Sequence, residues 1–202
     1  MRVVTKCVNY NSIPQEEYQQ ICRLRYQVFV KRLKWELHTS KQLELQLESD
    51  EYDYSNAQYL YVTDNSMQIY GCWRILPTLG RYMLKNTFPT LLEGHSIPAS
   101  ESVYELSRFA VDKHLAQAET NKSSSITMKL FQGIYDYAIE NGIKEYVTVT
   151  TTAVERILKR IGIPFTRIGD KQVHLLGNTK SIALSIQVNR QFMLAVQDET
   201  CS

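Results

Sequence analysis

Three groups of residues in this 202-residue chain combine charges in ways that a simple packed fold does not need. The first is acidic: Glu48, Asp50 and Asp53 fall within six residues, beside Tyr52 and Tyr54. The second is Glu105-Leu106-Ser107-Arg108-Phe109, inside an apolar run that reads as a strand. The third is Arg25, which lies on the apolar stripe of Ile21, Val28 and Phe29. A guanidinium on such a stripe is costly unless an anion is close. Arg25 and Arg108 set against Glu48, Asp50, Asp53 and Glu105 would form a self-compensating polar network. Each feature also has a bland counterpart: an arginine snorkelling to the rim, a solvated acidic loop, a structural ion pair. The acidic segment fails as a calcium loop, because the required glycine and terminal glutamate are missing.

The elements that position these residues can be read from periodicity. A first helix is expected from about Ser12 to Lys31, with Pro14 in its first turn and Glu16 and Glu17 favouring its N-terminus. Residues 37–56 read as a long irregular loop. Strands follow at Gln58–Thr63 and Gln68–Ile75 around the turn Asp64-Asn65-Ser66. A short helix over Tyr82–Leu92 is interrupted near Pro89, and Val103–Val111 is a strand whose alternation puts Glu105 and Ser107 on one face and Arg108 on the other. Ser123–Ser125 can cap a helix over Ile126–Glu140, stopped by Asn141-Gly142. Tyr146–Thr151 is a β-branched strand, Ala153–Ile161 a helix ended by Gly162, and Ile182–Val188 a last strand. The alternation predicts an α/β fold around one mixed sheet, in one domain over residues 1–202.

Composition narrows the function further. Hydrophobic residues make up 44% and charged residues 22%, with a net charge of +2. That balance argues against a nucleic-acid partner. No run suggests a membrane span and the first residues do not resemble a signal peptide, so a cytoplasmic location is expected. Cys7, Cys22, Cys72 and Cys201 are spaced as thiols, and the four scattered histidines give no metal-ligand pattern; no metal is expected.

Taken together, the motifs resemble the LuxI-type acyl-homoserine lactone synthases. They are Arg25-Tyr-Gln-Val-Phe29 followed by Trp35, Glu48-x-Asp50-x-x-Asp53, Gly71-Cys-Trp-Arg74-Ile-Leu-Pro77-Thr, Tyr82-Met-Leu-Lys-Asn-Thr-Phe88-Pro, Glu105-Leu-Ser-Arg108-Phe109 and Val147-Thr148-Val-Thr150. Each is weak alone, but six in order at matching spacing, over nearly the whole chain, are specific. The resemblance implies a twisted mixed sheet flanked by helices, similar to the GCN5-related N-acetyltransferases, with acyl-pantetheine in a notch between two splayed strands. The chain lacks the Q/R-x-x-G-x-G/A loop that cradles coenzyme A pyrophosphate in that larger group.

It also implies the reaction: acyl transfer from an acyl carrier protein to the amine of S-adenosylmethionine, then lactone closure with loss of 5′-methylthioadenosine. S-adenosylmethionine is then a consumed substrate, and no cofactor is expected. Glu48 and Glu105 are the candidate bases and Arg108 a further catalytic candidate. Arg25, Phe29, Trp35, Asp50, Asp53, Arg74 and Ser107 are implied for S-adenosylmethionine and its network, with residues 1–56 closing over that substrate and 57–202 forming the sheet core and acyl pocket. Phe88, Thr148 and Thr150 would line that pocket, and a threonine at 148 is associated in the family with oxygen at C3, so a medium to long 3-oxo chain is expected. Arg156, Lys159 and Arg160 form one basic helix face for the acidic carrier protein. The rival expectations are an N-acyltransferase of the same fold acting on another amine, and a non-catalytic carrier-binding module.

Overall fold

A computed structural model describes residues 3–35, 44–112 and 122–197. In chain order the elements are β1 (Val3–Asn9), α1 (Gln15–Arg25) continuing as a π-helical segment (Tyr26–Arg32), β2 (Gln58–Asp64), β3 (Ile69–Pro77) and α2 (Met83–Asn86) with a 3-10 turn at Pro89–Leu92. Then come β4 (Val103–Val111), α3 (Lys122–Glu140), β5 (Glu145–Thr151), α4 (Thr152–Ile161), β6 (Phe165–Arg167), β7 (His174–Leu176), β8 (Thr179–Gln187) and α5 (Arg190–Gln197). The fold is α/β with a mixed sheet, as expected: β4 and β5 are parallel, whereas β1–β2 and β5–β8 are antiparallel. Among the described residues no helix is long and apolar enough to cross a membrane.

The chain forms two compact units, with β3 and β4 each running through both. The first comprises residues 1–74 and 108–133, and its strands follow the order β1-β2-β3-β4. Its core is built where helix α3 lies on β2 and β3 at glycines. A Cβ on Gly71 would stand 2.9 Å from Leu130, and one on Gly133 would stand 2.8 Å from both Leu60 and Thr5. Close approach there depends on the missing side chains.

The second unit, residues 75–107 and 134–202, continues β3-β4-β5-β8-β6 with β7 on β8. β5 pairs with β8 from Glu145↔Gln187 to Thr151↔Ser181. It pairs with β4 only at Val103↔Glu145, Tyr104↔Tyr146 and Glu105↔Val147. Beyond Val147, β5 therefore stays on β8 without a β4 partner among the described residues. α4 is capped at its start by Thr151, whose hydroxyl accepts from the Val154 N–H, and at its end by Gly162 with φ of 88°.

Several expectations are corrected. β1, β6, β7 and α5 carry no strong local pattern; β1 is an edge strand made by seven pairings with β2. Backbone from Lys122 is already helical, ahead of the start expected at Ile126. Strand alternation breaks at Arg108, whose φ is +61°. No disulfide joins Cys7, Cys22 and Cys72, while Cys201 lies outside the described residues, as do residues 36–43 of the expected loop.

Candidate functional site

The polar network forms in the first unit, where α1, the acidic segment and strands β3 and β4 bring six charged side chains to one place. Arg25 closes α1 on its buried face, 1% exposed. The helix then widens into the π-helical segment, and the Leu33 and Trp35 N–H groups donate to the carbonyls of Val28 and Phe29. Such widened turns recur at functional sites. This one stacks Phe29 on Trp35 with ring centroids 4.7 Å apart. The acidic segment folds on itself. The Asp50 N–H donates to Asp53 Oδ2 at 2.8 Å, the Tyr52 N–H to Asp50 Oδ1 at 2.9 Å, and the Asp53 N–H to the Asp50 carbonyl at 3.1 Å. The Glu48 N–H, donating to the Cys22 carbonyl at 3.0 Å, ties this segment to α1.

The arginines then interlock with the carboxylates. Arg25 donates from Nε to Glu48 at 2.5 Å and from both Nη atoms to Asp53 at 2.8 and 3.1 Å. Arg74, on β3, donates to Asp50 at 2.5 and 3.1 Å and to Asp53 at 2.7 Å. Arg108 meets Glu48 at 3.0 Å and Asp50 at 2.6 Å. Each carboxylate is held by two guanidinium groups within hydrogen-bonding distance, and the formal charges of the six cancel. Buried ions are tolerable only with this degree of pairing. The bland reading of Arg25 as a rim residue is excluded by its burial.

The electrostatics follow from the geometry. Burial alone would push the Glu48 carboxyl up, but the Arg108 and Arg25 guanidinium groups outweigh it and hold that group below the usual carboxylate range. Burial likewise opposes ionisation of Asp50 and Asp53; the arginines overcome it, and both are held low. The nearby thiols stay neutral: burial pushes Cys22 up to about 11 and Cys72 up to about 12. Arg108 carries backbone strain, since a left-handed non-glycine residue costs about 1–3 kcal/mol and persists only where its surroundings fix it. Its guanidinium carbon also lies 5.5 Å from the ring centroids of both Phe29 and Trp35. In this structure the cation on those aromatic faces is therefore Arg108.

Two supporting residues were not singled out as site residues. The Tyr59 hydroxyl donates to Asp53 at 2.8 Å, and Arg74 lies over the Tyr52 ring at 5.8 Å. Tyr52 stands inside the acidic motif, but Tyr59 looks like any aromatic strand residue and offers no such signal.

The remaining expected residues fall in the second unit. Glu105 is fully buried, and its carboxylate accepts from the backbone N–H groups of Met83 at 2.8 Å and Leu84 at 2.6 Å. Ser107 is buried and Phe88 half-buried. Thr148 is 3% exposed, and among the described residues nothing hydrogen-bonds its hydroxyl, although that oxygen keeps solvent contact. Thr150 is half-buried opposite Ile182. Arg156, Lys159 and Arg160 are all exposed on α4, whose Glu155 is engaged by Arg167 at 2.6 and 2.9 Å.

A family model described as autoinducer synthase matches residues 9–196. An acyl-homoserine-lactone synthase of Aliivibrio fischeri is 53% identical over 196 residues, covering 97% of this chain and 99% of that one. Among solved structures, the AHL synthase LasI superposes with a TM-score of 0.84 at 32% identity, covering 98% of this chain and 95% of that one. TofI, solved in a ternary complex with an inhibitor and MTA, gives 0.79 at 27% identity, with coverage of 97% and 96%. Matched end to end in sequence and fold, this chain belongs to the autoinducer synthase family, the acyl-homoserine-lactone synthases, and is an acyltransferase.

Proposed function

We propose that the amine substrate is S-adenosylmethionine, that the donor is an acyl-acyl carrier protein, and that 5′-methylthioadenosine (MTA) is released on lactone closure. The observation that carries this reading is the Arg25–Glu48–Asp50–Asp53–Arg74–Arg108 network. A methionyl head group presents ammonium, carboxylate and sulfonium charges together, and a buried cluster offering both signs suits it. That TofI has been solved with MTA supports the same substrate here. The exposed face of Arg156, Lys159 and Arg160 suits an acidic carrier protein, with Lys159 and Arg160 on the last turn of α4.

In the reaction, the neutral amine adds to the thioester carbonyl carbon and the carbon–sulfur bond breaks, the carrier thiol leaving with the proton. The methionyl carboxylate oxygen then attacks its own γ-carbon. The bond to the sulfonium breaks, its electron pair neutralises the sulfur, and MTA departs. This closure is intramolecular, so the site has mainly to hold a folded conformer. Glu48 is a poor base, because two guanidinium groups stabilise its ionised form. Its role is to hold Arg25 and Arg108. The Thr148 hydroxyl, solvent-touching and without a hydrogen bond among the described residues, suits a 3-oxo carbonyl on a medium to long chain, with Thr150 and Phe88 completing the pocket.

The test is incubation with S-adenosylmethionine and 3-oxo-acyl carrier proteins, read by mass spectrometry. The expected products are a 3-oxo-acyl-homoserine lactone and MTA in equal amounts. An acylated amine without MTA would indicate a different acyl acceptor, and better turnover with acyl-coenzyme A would overturn the carrier-protein donor.

A further inference from the structure

We infer that Glu105 is a positioning residue for the acyl donor, acting through the backbone of residues 82–84, and is not the base that deprotonates the amine; this rests on the reading of the reaction above. Both of its carboxylate oxygens are occupied, Oε2 by the Met83 N–H at 2.8 Å and Oε1 by the Leu84 N–H at 2.6 Å. Taking up a proton at either oxygen would compete with a backbone N–H already donating there. It also lies at the last β4 position paired with β5, opposite Val147. Thr148 is the next residue along β5, where the β4 pairing stops. Glu105 therefore ties the segment carrying Tyr82, Met83 and Leu84 to the place where the two strands part.

The rest of that segment is anchored elsewhere. The Tyr82 hydroxyl donates to the Pro98 carbonyl, and Tyr82 and Leu84 are 0% exposed. Leu91 and Leu92 are buried, and a Cβ on Gly169 would collide with the Leu91 carbonyl at 1.8 Å. The segment is thus packed at its far end, and at its near end the Glu105 carboxylate holds two successive backbone N–H groups. Loss of that carboxylate would release Met83 and Leu84, whose side chains are buried beside the strand junction. The amine does not require a buried base: an α-amine titrates at about 7.7–8.0, so a useful fraction is neutral at pH 8 and its proton can pass to solvent.

Two variants separate positioning from proton transfer. Glu105→Gln keeps one acceptor oxygen and presents an amide N–H to the second backbone donor. Met83→Pro deletes one N–H donor and leaves the carboxylate intact. Proline fits the first turn of a helix, and Tyr82 before it is already extended at φ −150° and ψ 157°. Steady-state kinetics at pH 6–9 are run on the wild type and both variants with acyl carrier proteins of several chain lengths, alongside amide hydrogen exchange of residues 82–88. Positioning predicts that both variants raise KM for the acyl donor about tenfold or more and broaden chain-length preference. KM for S-adenosylmethionine and the shape of the pH profile should not change, and exchange at residues 82–88 should rise. The inference is overturned if Met83→Pro behaves as wild type while Glu105→Gln loses kcat alone and regains it log-linearly with rising pH, as loss of a general base requires. Unchanged exchange at residues 82–88 in Glu105→Gln also overturns it, independently of activity. If the wild type itself makes no lactone and MTA, the reaction assignment fails, and the exchange measurement still decides the role of Glu105.

Discussion

Arg25 and Glu48 lie 23 residues apart in the chain and meet at 2.5 Å, with their side chains 1% and 3% exposed. Neither would be stable at that depth alone. α1 places the arginine, and the backbone bond from Glu48 to Cys22 places the carboxylate, so the pair reports the docking of the acidic segment onto the helix.

Arg25→Ala should therefore cost more than a surface charge. It leaves Glu48 and Asp53 short of a guanidinium, and breaking a buried pair by removing one partner costs about 3–5 kcal/mol. Chemical denaturation should show that loss, and lactone formation should fall to a small fraction of wild type. Alanine at Glu48, Asp50, Arg74 or Arg108 should likewise remove most activity. Near-wild-type turnover in two of these five variants would show that the network is only structural.

Acid should expose the same network. The folded carboxyl groups of Glu48, Asp50 and Asp53 are held below their ordinary values. The unfolded chain, with carboxyl groups near about 4, then binds more protons than the folded chain in the window below that value. Stability should rise with pH through this window, level off above about pH 5, and be lost as pH falls. In Asp53→Asn the acid-side slope should be shallower than in wild type, as measured by urea midpoints from pH 2.5 to 6. Parallel slopes would contradict the ion pairing.

The Phe29–Trp35 stack faces the Arg108 guanidinium, so Trp35→Ala should act on the network. A cation–π contact contributes about 0.5–2 kcal/mol. Trp35→Ala should lower kcat/KM for S-adenosylmethionine by roughly 2- to 30-fold, and Trp35→Phe should retain most of it. Equal losses in the two variants would assign Trp35 to packing alone.

Charge reversal on α4 tests the donor surface. Arg156→Glu with Arg160→Glu should raise KM for acyl carrier protein by about 3- to 10-fold at low salt and leave that for S-adenosylmethionine unchanged. The difference should shrink as salt rises, since exposed charges are screened. A salt-insensitive KM would place the carrier elsewhere.

Thr148→Val keeps the buried shape and removes the hydroxyl. Preference for 3-oxo over unsubstituted chains should fall by about 1 kcal/mol, roughly fivefold in kcat/KM. Equal losses on both chain types would make Thr148 a packing residue.

Local sequence carried the elements with strong periodicity. The apolar spacing of α3, the β-branched run of β5 and the stop at Gly162 depend on near neighbours, and near neighbours are visible in a sequence. So was the suspicion attached to Arg25: a charge on an apolar stripe advertises a missing partner. The sequence could not say who that partner was. Arg25 reaches Asp53 across 28 residues and Arg108 reaches Glu48 across 60. No local propensity encodes such distances; only the packed chain brings them together. The same holds for β1, which owes its strand conformation to β2, and for Arg108, whose left-handed backbone defeats the alternation that set its expected face. Glu105 is the sharpest case. Its motif marks it as important, but only the fold shows it accepting from two backbone donors more than twenty residues earlier, because backbone N–H groups leave no trace in side-chain identity.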